Sequence, residues 1–260
     1  MKMFQQKSPK EKEWQKLEKK ENLLLARKAE KRDSKLNQIL QDKVPEKLQI
    51  TLDAAFAKAF TVIFEKGTGV IEKTYNREEI QKSYQIDEYT AGVRRNHKSL
   101  KTFSKKAGNA GRINLLMSGV SGVGLGVLGI GLPDIAIFTG LMLKGIYEIA
   151  LRYGFDYETE EERQFILLVI QGAVAYGKEF QSIDGLLNEY IGQGCFVKAQ
   201  NTEILISEAA KGLSGELLYM KFLQGIPIVG AVGGAYDAIY MKTIMEYAEL
   251  KYRRRFLCKI

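Results

Sequence analysis

Histidine and cysteine are scarce in this chain of 260 residues, which has one histidine, His97, and two cysteines, Cys195 and Cys258. His97 stands among cations with no carboxylate nearby in sequence, which argues against a His-based catalytic triad, and the residues for most zinc sites are missing. The distant cysteines and the lack of a cleavable signal peptide indicate a reducing compartment. We therefore expect no metal, no cofactor, no small-molecule substrate and no enzymatic activity.

Proline and strand patterns are also sparse. The chain has four prolines, and no run of alternating apolar and polar residues is longer than about five. Both features favour long helices. We predict an all-α helical bundle with a charged amino-terminal helix and two glycine-rich apolar helical segments.

The first part of the chain predicts two helices. Residues 1–43 form a charged, amphipathic N-terminal helix that starts at Ser8-Pro9, and residues 44–260 form the helical domain. Pro45 begins the second helix, whose apolar residues recur at helical spacing until Gly67. Trp14 either anchors at a membrane interface or packs on the bundle.

Caps predict the later helices. Pro133 and Asp134 begin a helix that Gly154 ends in a left-handed conformation. Thr159 and Glu162 form a capping box, and a helix of about 20 residues should follow. Beyond it we expect a short, glycine-punctuated segment at 182–195, an amphipathic helix at 202–223, and a long final helix that ends in an arginine cluster.

The most apolar stretch, residues 113–133, has no charge and six glycines. At 1.5 Å per residue it would make a helix of roughly 30 Å, which is about the thickness of a bilayer core. With 135–143 it predicts a hydrophobic helical hairpin. Its GxGxxG string at 124–129 is better explained by small-residue helix packing than by nucleotide binding. We assign close helix packing to Gly122, Gly126, Gly230 and Gly234.

Positive charge is concentrated in the first half of the chain. Residues 1–112 carry 26 basic and 15 acidic side chains, against 13 and 16 in the remainder. Polybasic segments beside apolar stretches are typical of anionic lipid surfaces, although a solvated helix face or a nucleic-acid contact gives the same pattern. We expect membrane or partner contact, and no nucleic acid, at Arg94, Arg95, Lys98, Lys101, Lys105, Arg253, Arg254 and Arg255.

Several strings resemble the EcsC family of bacterial proteins. They are 13–16, 44–48, Gly131-Leu132-Pro133-Asp134, the stretch 149–156 with Tyr153 and Gly154, and 226–234 with Pro227. The resemblance covers nearly the whole chain. That family is named for a protein encoded beside an ABC transporter, so the resemblance implies an accessory role near the membrane and supplies no catalytic residues.

The resulting hypothesis is a non-enzymatic accessory protein, EcsC-like and linked to an ABC transporter. It would lie in the cytoplasm, peripheral to or partly inserted in the inner (plasma) membrane. The main alternative is a soluble helical protein-interaction module that buries the apolar hairpin in its core; a hydrolase of an unrecognised kind is a third. The surroundings of 113–143 distinguish the first two.

Overall fold

The computed structural model describes residues 7–29, 44–67, 76–94, 133–223 and 235–260, and these residues form helices and turns without a strand. The all-α prediction is confirmed. A π-helical turn, Ile63–Gly67, follows the second helix. The α-helices in the described ranges are α1 (Pro9–Ala29), α2 (Glu46–Val62), α3 (Arg77–Arg94), α4 (Pro133–Arg152), α5 (Glu160–Val174), α6 (Gly177–Gln193), α7 (Thr202–Leu223) and α8 (Ala235–Lys259).

Helix α5 lies at the centre of the bundle. Every residue from 165 to 175 is buried, so this helix is covered on all sides. Its neighbours are α6, α7 and α8, and α8 in turn packs against α1, α4 and α6. The core therefore forms around α5 and α8, and α1 belongs to it through α8.

Helices α4 and α8 run parallel to each other. Near their starts the rings of Phe138 and Tyr240 lie 6.5 Å apart, and near their ends the rings of Tyr153 and Phe256 lie 5.9 Å apart. The two helices thus begin at one end of the bundle, here called the apolar end. The opposite end, where α8 finishes, is called the ion-pair end.

The second arm of the predicted hairpin lies in the core. Within 135–143 only Ile137 and Leu141 are partly exposed, and the rest are buried. This part therefore packs as the soluble-bundle alternative expects, whereas 113–132 lies outside the described residues. Among the helices that the structure describes, none combines the length and the apolar character that a membrane crossing needs.

Three of the predicted caps are present, and the first is Ser8, whose hydroxyl accepts from the N–H of Glu11 at 3.2 Å. Gly154 has φ +79°, its N–H donates to the carbonyl of Leu151, and the N–H of Phe155 donates to the carbonyl of Ala150. This pair of bonds is a Schellman motif. The hydroxyl of Thr159 accepts from the N–H of Glu162 at 3.2 Å and caps α5, as predicted.

The predicted division of 160–195 into one helix of about 20 residues and a short, glycine-punctuated segment was wrong. The helix that starts at Glu160 stops at Val174, because Ala175 and Tyr176 are extended, and α6 then runs from Gly177 to Gln193. The segment predicted to be short and glycine-punctuated is thus mostly helix. The helix predicted at 202–223 is confirmed, as is the long final helix.

Replacing Gly154 with alanine should destabilise the bundle. The positive φ disfavours a Cβ by about 1–2 kcal/mol, and a Cβ there would lie 2.2 Å from Cζ of Tyr84. Gly185→Ala is the matched control, because a Cβ at this helical, exposed glycine meets nothing within 4 Å. Alanine there should stabilise by roughly 0.5–1 kcal/mol. Urea unfolding measures both, and equal effects would contradict the analysis.

Candidate functional site

Four cations lie close together in sequence near the end of α8. They are Lys251, Arg253, Arg254 and Arg255. Successive residues of an α-helix point about 100° apart, so neighbouring side chains meet different elements. Each cation accordingly has its own carboxylate partner, and the partners come from three helices: α1, α5 and α6.

Helix α1 supplies two of the carboxylates. Arg253 donates to Oε2 of Glu13 at 2.5 Å, and Arg254 donates to Oε2 of Glu21 at 2.6 Å. Glu13 is 1% exposed. Its burial opposes ionisation, but the charges and hydrogen bonds of Lys16 and Arg253 outweigh burial and lower the pKa of Glu13. Glu13 is therefore ionised at neutral pH.

Lys251 is buried between α1 and α6. Its Nζ lies 2.6 Å from Oδ1 of Asp184 and 4.0 Å from Oε1 of Glu21, and it donates to Asn188 at 2.8 Å. Asp184 also accepts from the hydroxyl of Tyr247 at 2.7 Å. Burial lowers the pKa of Lys251 and raises the pKa of Glu21, although each opposite charge works against that direction.

Arg255 lies in an aromatic cage. Its guanidinium carbon is 4.1 Å from the ring centre of Phe155, 4.9 Å from that of Phe165 and 5.0 Å from that of Tyr190. It donates to Oε2 of Glu162 at 2.6 Å, and Glu162 also accepts from the hydroxyl of Tyr252 at 2.5 Å.

The Glu162 half of the predicted capping box was assigned wrongly. This carboxylate is 3% exposed and contacts α8 instead of reaching back to the backbone of Thr159. Burial raises the pKa of Glu162 despite the positive charge of Arg255. Sequence spacing identified the cap but could not reveal a partner 93 residues away.

The structure differs from the prediction for the three arginines of α8. We expected them to contact a membrane or a partner, but Arg253 is 6% exposed and all three donate to carboxylates of the same chain. A run of cations in sequence resembles a surface cluster, whereas helical geometry distributes these side chains among different neighbours. Lys259, a further cation at the end of α8, is exposed and lies 4.0 Å from Glu88.

The other predicted site residues have different outcomes. Arg94 ends α3, and Pro133 and Asp134 begin α4, as predicted for a helix start. Tyr153 is buried against Phe256. Outside the described residues lie His97, Arg95, Lys98, Lys101, Lys105, Gly122, Gly126, Gly230, Gly234 and Pro227.

Trp14 packs on the bundle. The guanidinium carbon of Arg254 lies 5.2 Å from the centre of its ring, and its indole N–H donates to Glu18 at 2.9 Å. Of the two predicted roles for Trp14, the structure therefore shows the packing one.

A second buried charge lies at the end of α5, and sequence reasoning missed it. Nζ of Lys28 donates to the carbonyl oxygens of Ala173 and Ala175 at 2.6 and 2.9 Å, and it lies 4.4 Å from the ring centre of Tyr176. Burial raises the pKa of Glu216 to about 8, although the positive charge of Lys28 opposes this. Lys28, which belongs to α1, thus supplies hydrogen-bond donors to carbonyl groups at the end of α5.

Further acidic residues contribute to structure at the surface. Arg77 donates to Glu158 at 2.5 Å and to both oxygens of Asp156, and its guanidinium stacks on Tyr157. Across the described ranges, no group of three or more His, Cys, Asp or Glu side chains is placed to hold a metal ion. The ion pairs at the end of α8 hold α1, α5 and α6 against α8.

Comparison with known proteins identifies one family. The model of the EcsC protein family matches residues 8–257, which is nearly the whole chain. No curated protein and no solved structure matches the chain. The match includes α1 and the ion-pair end of α8, so both belong to the region that the family model covers.

Removing Arg255, whose partner Glu162 is buried, should cost much more stability than removing Arg77, whose partners are half-exposed. Arg255→Met leaves Glu162 buried without its guanidinium, and breaking a buried pair costs about 3–5 kcal/mol. Arg77→Met, which breaks a pair with half-exposed carboxylates, should cost below about 1 kcal/mol. Urea unfolding compares them. Adding Glu162→Gln to Arg255→Met should restore part of the loss, and a further drop would contradict the proposed cause.

Glu216 should make the protein less stable as pH rises. Its folded pKa of about 8 is above the ordinary value of 4.5, so the folded chain binds the proton more tightly and loses stability between pH 4.5 and 8. Between pH 6 and pH 8 the loss should be roughly 2 kcal/mol. Glu216→Gln should remove that slope in thermal unfolding, whereas Glu208→Gln, at an exposed position of α7, should keep it.

Proposed function

We propose that this chain, which belongs to the EcsC protein family, is a non-enzymatic accessory protein that binds the anionic surface of the inner membrane from the cytoplasm. One structural observation carries the proposal. Helices α4 and α8 begin side by side at the apolar end, and the residues that precede them are the two uncharged, glycine-rich segments, 113–132 and 224–234. The chain therefore joins both segments to one end of the bundle.

The distribution of charge supports the same orientation. At the ion-pair end the cations of α8 are matched by Glu13, Glu21, Asp184 and Glu162, so they add little net charge to the surface. The basic run at 94–112 has seven cations, and no carboxylate occurs between residues 89 and 133. This run directly precedes 113–132, and a basic run beside an apolar segment is typical of contact with lipid headgroups.

The mode of attachment that we propose is peripheral. The arm at 135–143 is buried in the bundle, so it is not available for contact with the hydrocarbon region. The family resemblance suggests an ABC transporter as the membrane partner. The burial of 135–143 also favours a second candidate, a soluble interaction module whose partner is a protein alone.

Vesicle binding separates these two functions. Changing Arg94, Arg95, Lys98 and Lys101 together to Gln should weaken co-sedimentation with phosphatidylglycerol vesicles by at least tenfold at low salt, since each cation near such a surface contributes about 1 kcal/mol. Phosphatidylcholine vesicles should bind neither protein well. Carbonate and salt washes of cell membranes should release the wild-type protein if attachment is peripheral.

The matched control changes four exposed lysines of α1 to Gln, namely Lys10, Lys12, Lys19 and Lys20. This variant loses the same charge but keeps the basic run, so its vesicle binding should stay close to that of the wild type. Equal losses of vesicle binding in both variants would mean that the net charge of the protein, and not the basic run, determines binding. If the changes at 94–101 leave vesicle binding unaltered, the membrane proposal is wrong and the soluble module is favoured.

A further inference from the structure

Helix α1 is held on the bundle mainly by charged contacts. Its buried side chains are Glu13, Leu17, Glu21, Leu24 and Lys28, of which three are charged. At 100° per residue they fall within a stripe about 80° wide. A buried ion pair roughly breaks even against its own desolvation, so these contacts give a specific alignment and a small net attraction.

The partners of α1 are remote in sequence. Lys28 meets carbonyls about 145 residues later, and Glu13 meets Arg253, 240 residues later. The main neighbours of α1 are α6 and α8. The face that receives α1 is consequently made by other parts of the chain, and an identical helix from another molecule would find the same contacts on it.

We propose that this face of α6 and α8 is an interaction surface for α1 of a second copy, so that two copies exchange their N-terminal helices. Charge complementarity selects this occupant. The face presents Lys251, Arg253 and Arg254, and α1 presents carboxylates at positions 13 and 21 with Leu17 between them. A second copy supplies that pattern in the required spacing.

The length of the connection permits the exchange. Residues 30–43 join α1 to α2, and these 14 residues span about 45–50 Å when extended. The exchanged and unexchanged forms share the contacts of α1, so protein concentration sets their ratio. The surface lies at the ion-pair end, away from the apolar end, so this inference does not depend on vesicle binding.

Complementary charge variants test the exchange. Glu13→Arg and Arg253→Glu each place like charges together within one chain. When the two variants are mixed, the side chain at position 13 of each α1 finds an opposite charge at position 253 only on the other chain, whereas the pairs of Glu21 are the same in both arrangements. Light scattering after gel filtration should then give a mass of about twice 29.3 kDa for the mixture, with the dimer at least tenfold more populated than in either variant alone.

The double variant, Glu13→Arg with Arg253→Glu, is the control because it restores the pair within one chain and should behave like the wild type. If a single variant does not fold alone, refolding the two together should recover the helical circular dichroism of the double variant. A mixture that stays at 29.3 kDa, or a co-refolded mixture without helical signal, would overturn the proposal.

Discussion

The cations near the end of α8 are matched by carboxylates of other helices, and this pairing governs how those helices are assembled around α8. Lys251 is 1% exposed, and burial lowers its pKa, whereas the negative charge of Asp184 opposes that shift. Because adjacent side chains of α8 point in different directions, their carboxylate partners come from three different helices, α1, α5 and α6. Hydrophobic burial makes the bundle compact, and these pairs select which helices lie beside α8 and in which register.

The same pairing gives the bundle two different ends. Charge is compensated inside the protein where α8 finishes, whereas the starts of α4 and α8 follow long uncharged stretches. The parallel arrangement of these two helices produces that asymmetry, and the packing of Phe138 on Tyr240 and of Tyr153 on Phe256 fixes it. The proposed attachment to a membrane surface depends on this polarity, with the apolar end directed toward the surface.

Helix α1 contributes a side chain to the end of α5, a helix that is distant in sequence. Lys28 donates to the carbonyl of Ala173, in the last turn of α5, and to that of Ala175, the residue after the helix. Carbonyls at a helix end lack partners within their own helix. The chain turns at Tyr176 and enters α6 through Gly177, whose φ is +60°. A residue near the amino terminus thus helps to end a helix about 145 residues later, although α1 buries only two leucines.

The sequence alone determined the helical class, most helix boundaries and three caps, because these depend on spacing and on neighbours within a few residues. Pro45, Gly154 and Thr159 act over such distances, and the structure has each of them where the pattern indicates. The candidate site was decided by tertiary structure. The sequence shows Arg253–Arg255 as a run of charge, but only packing determines that Glu13, Glu21 and Glu162 meet it. The break at Ala175 was likewise out of reach, since Lys28, which binds the end of α5, is far away in sequence and near only after folding.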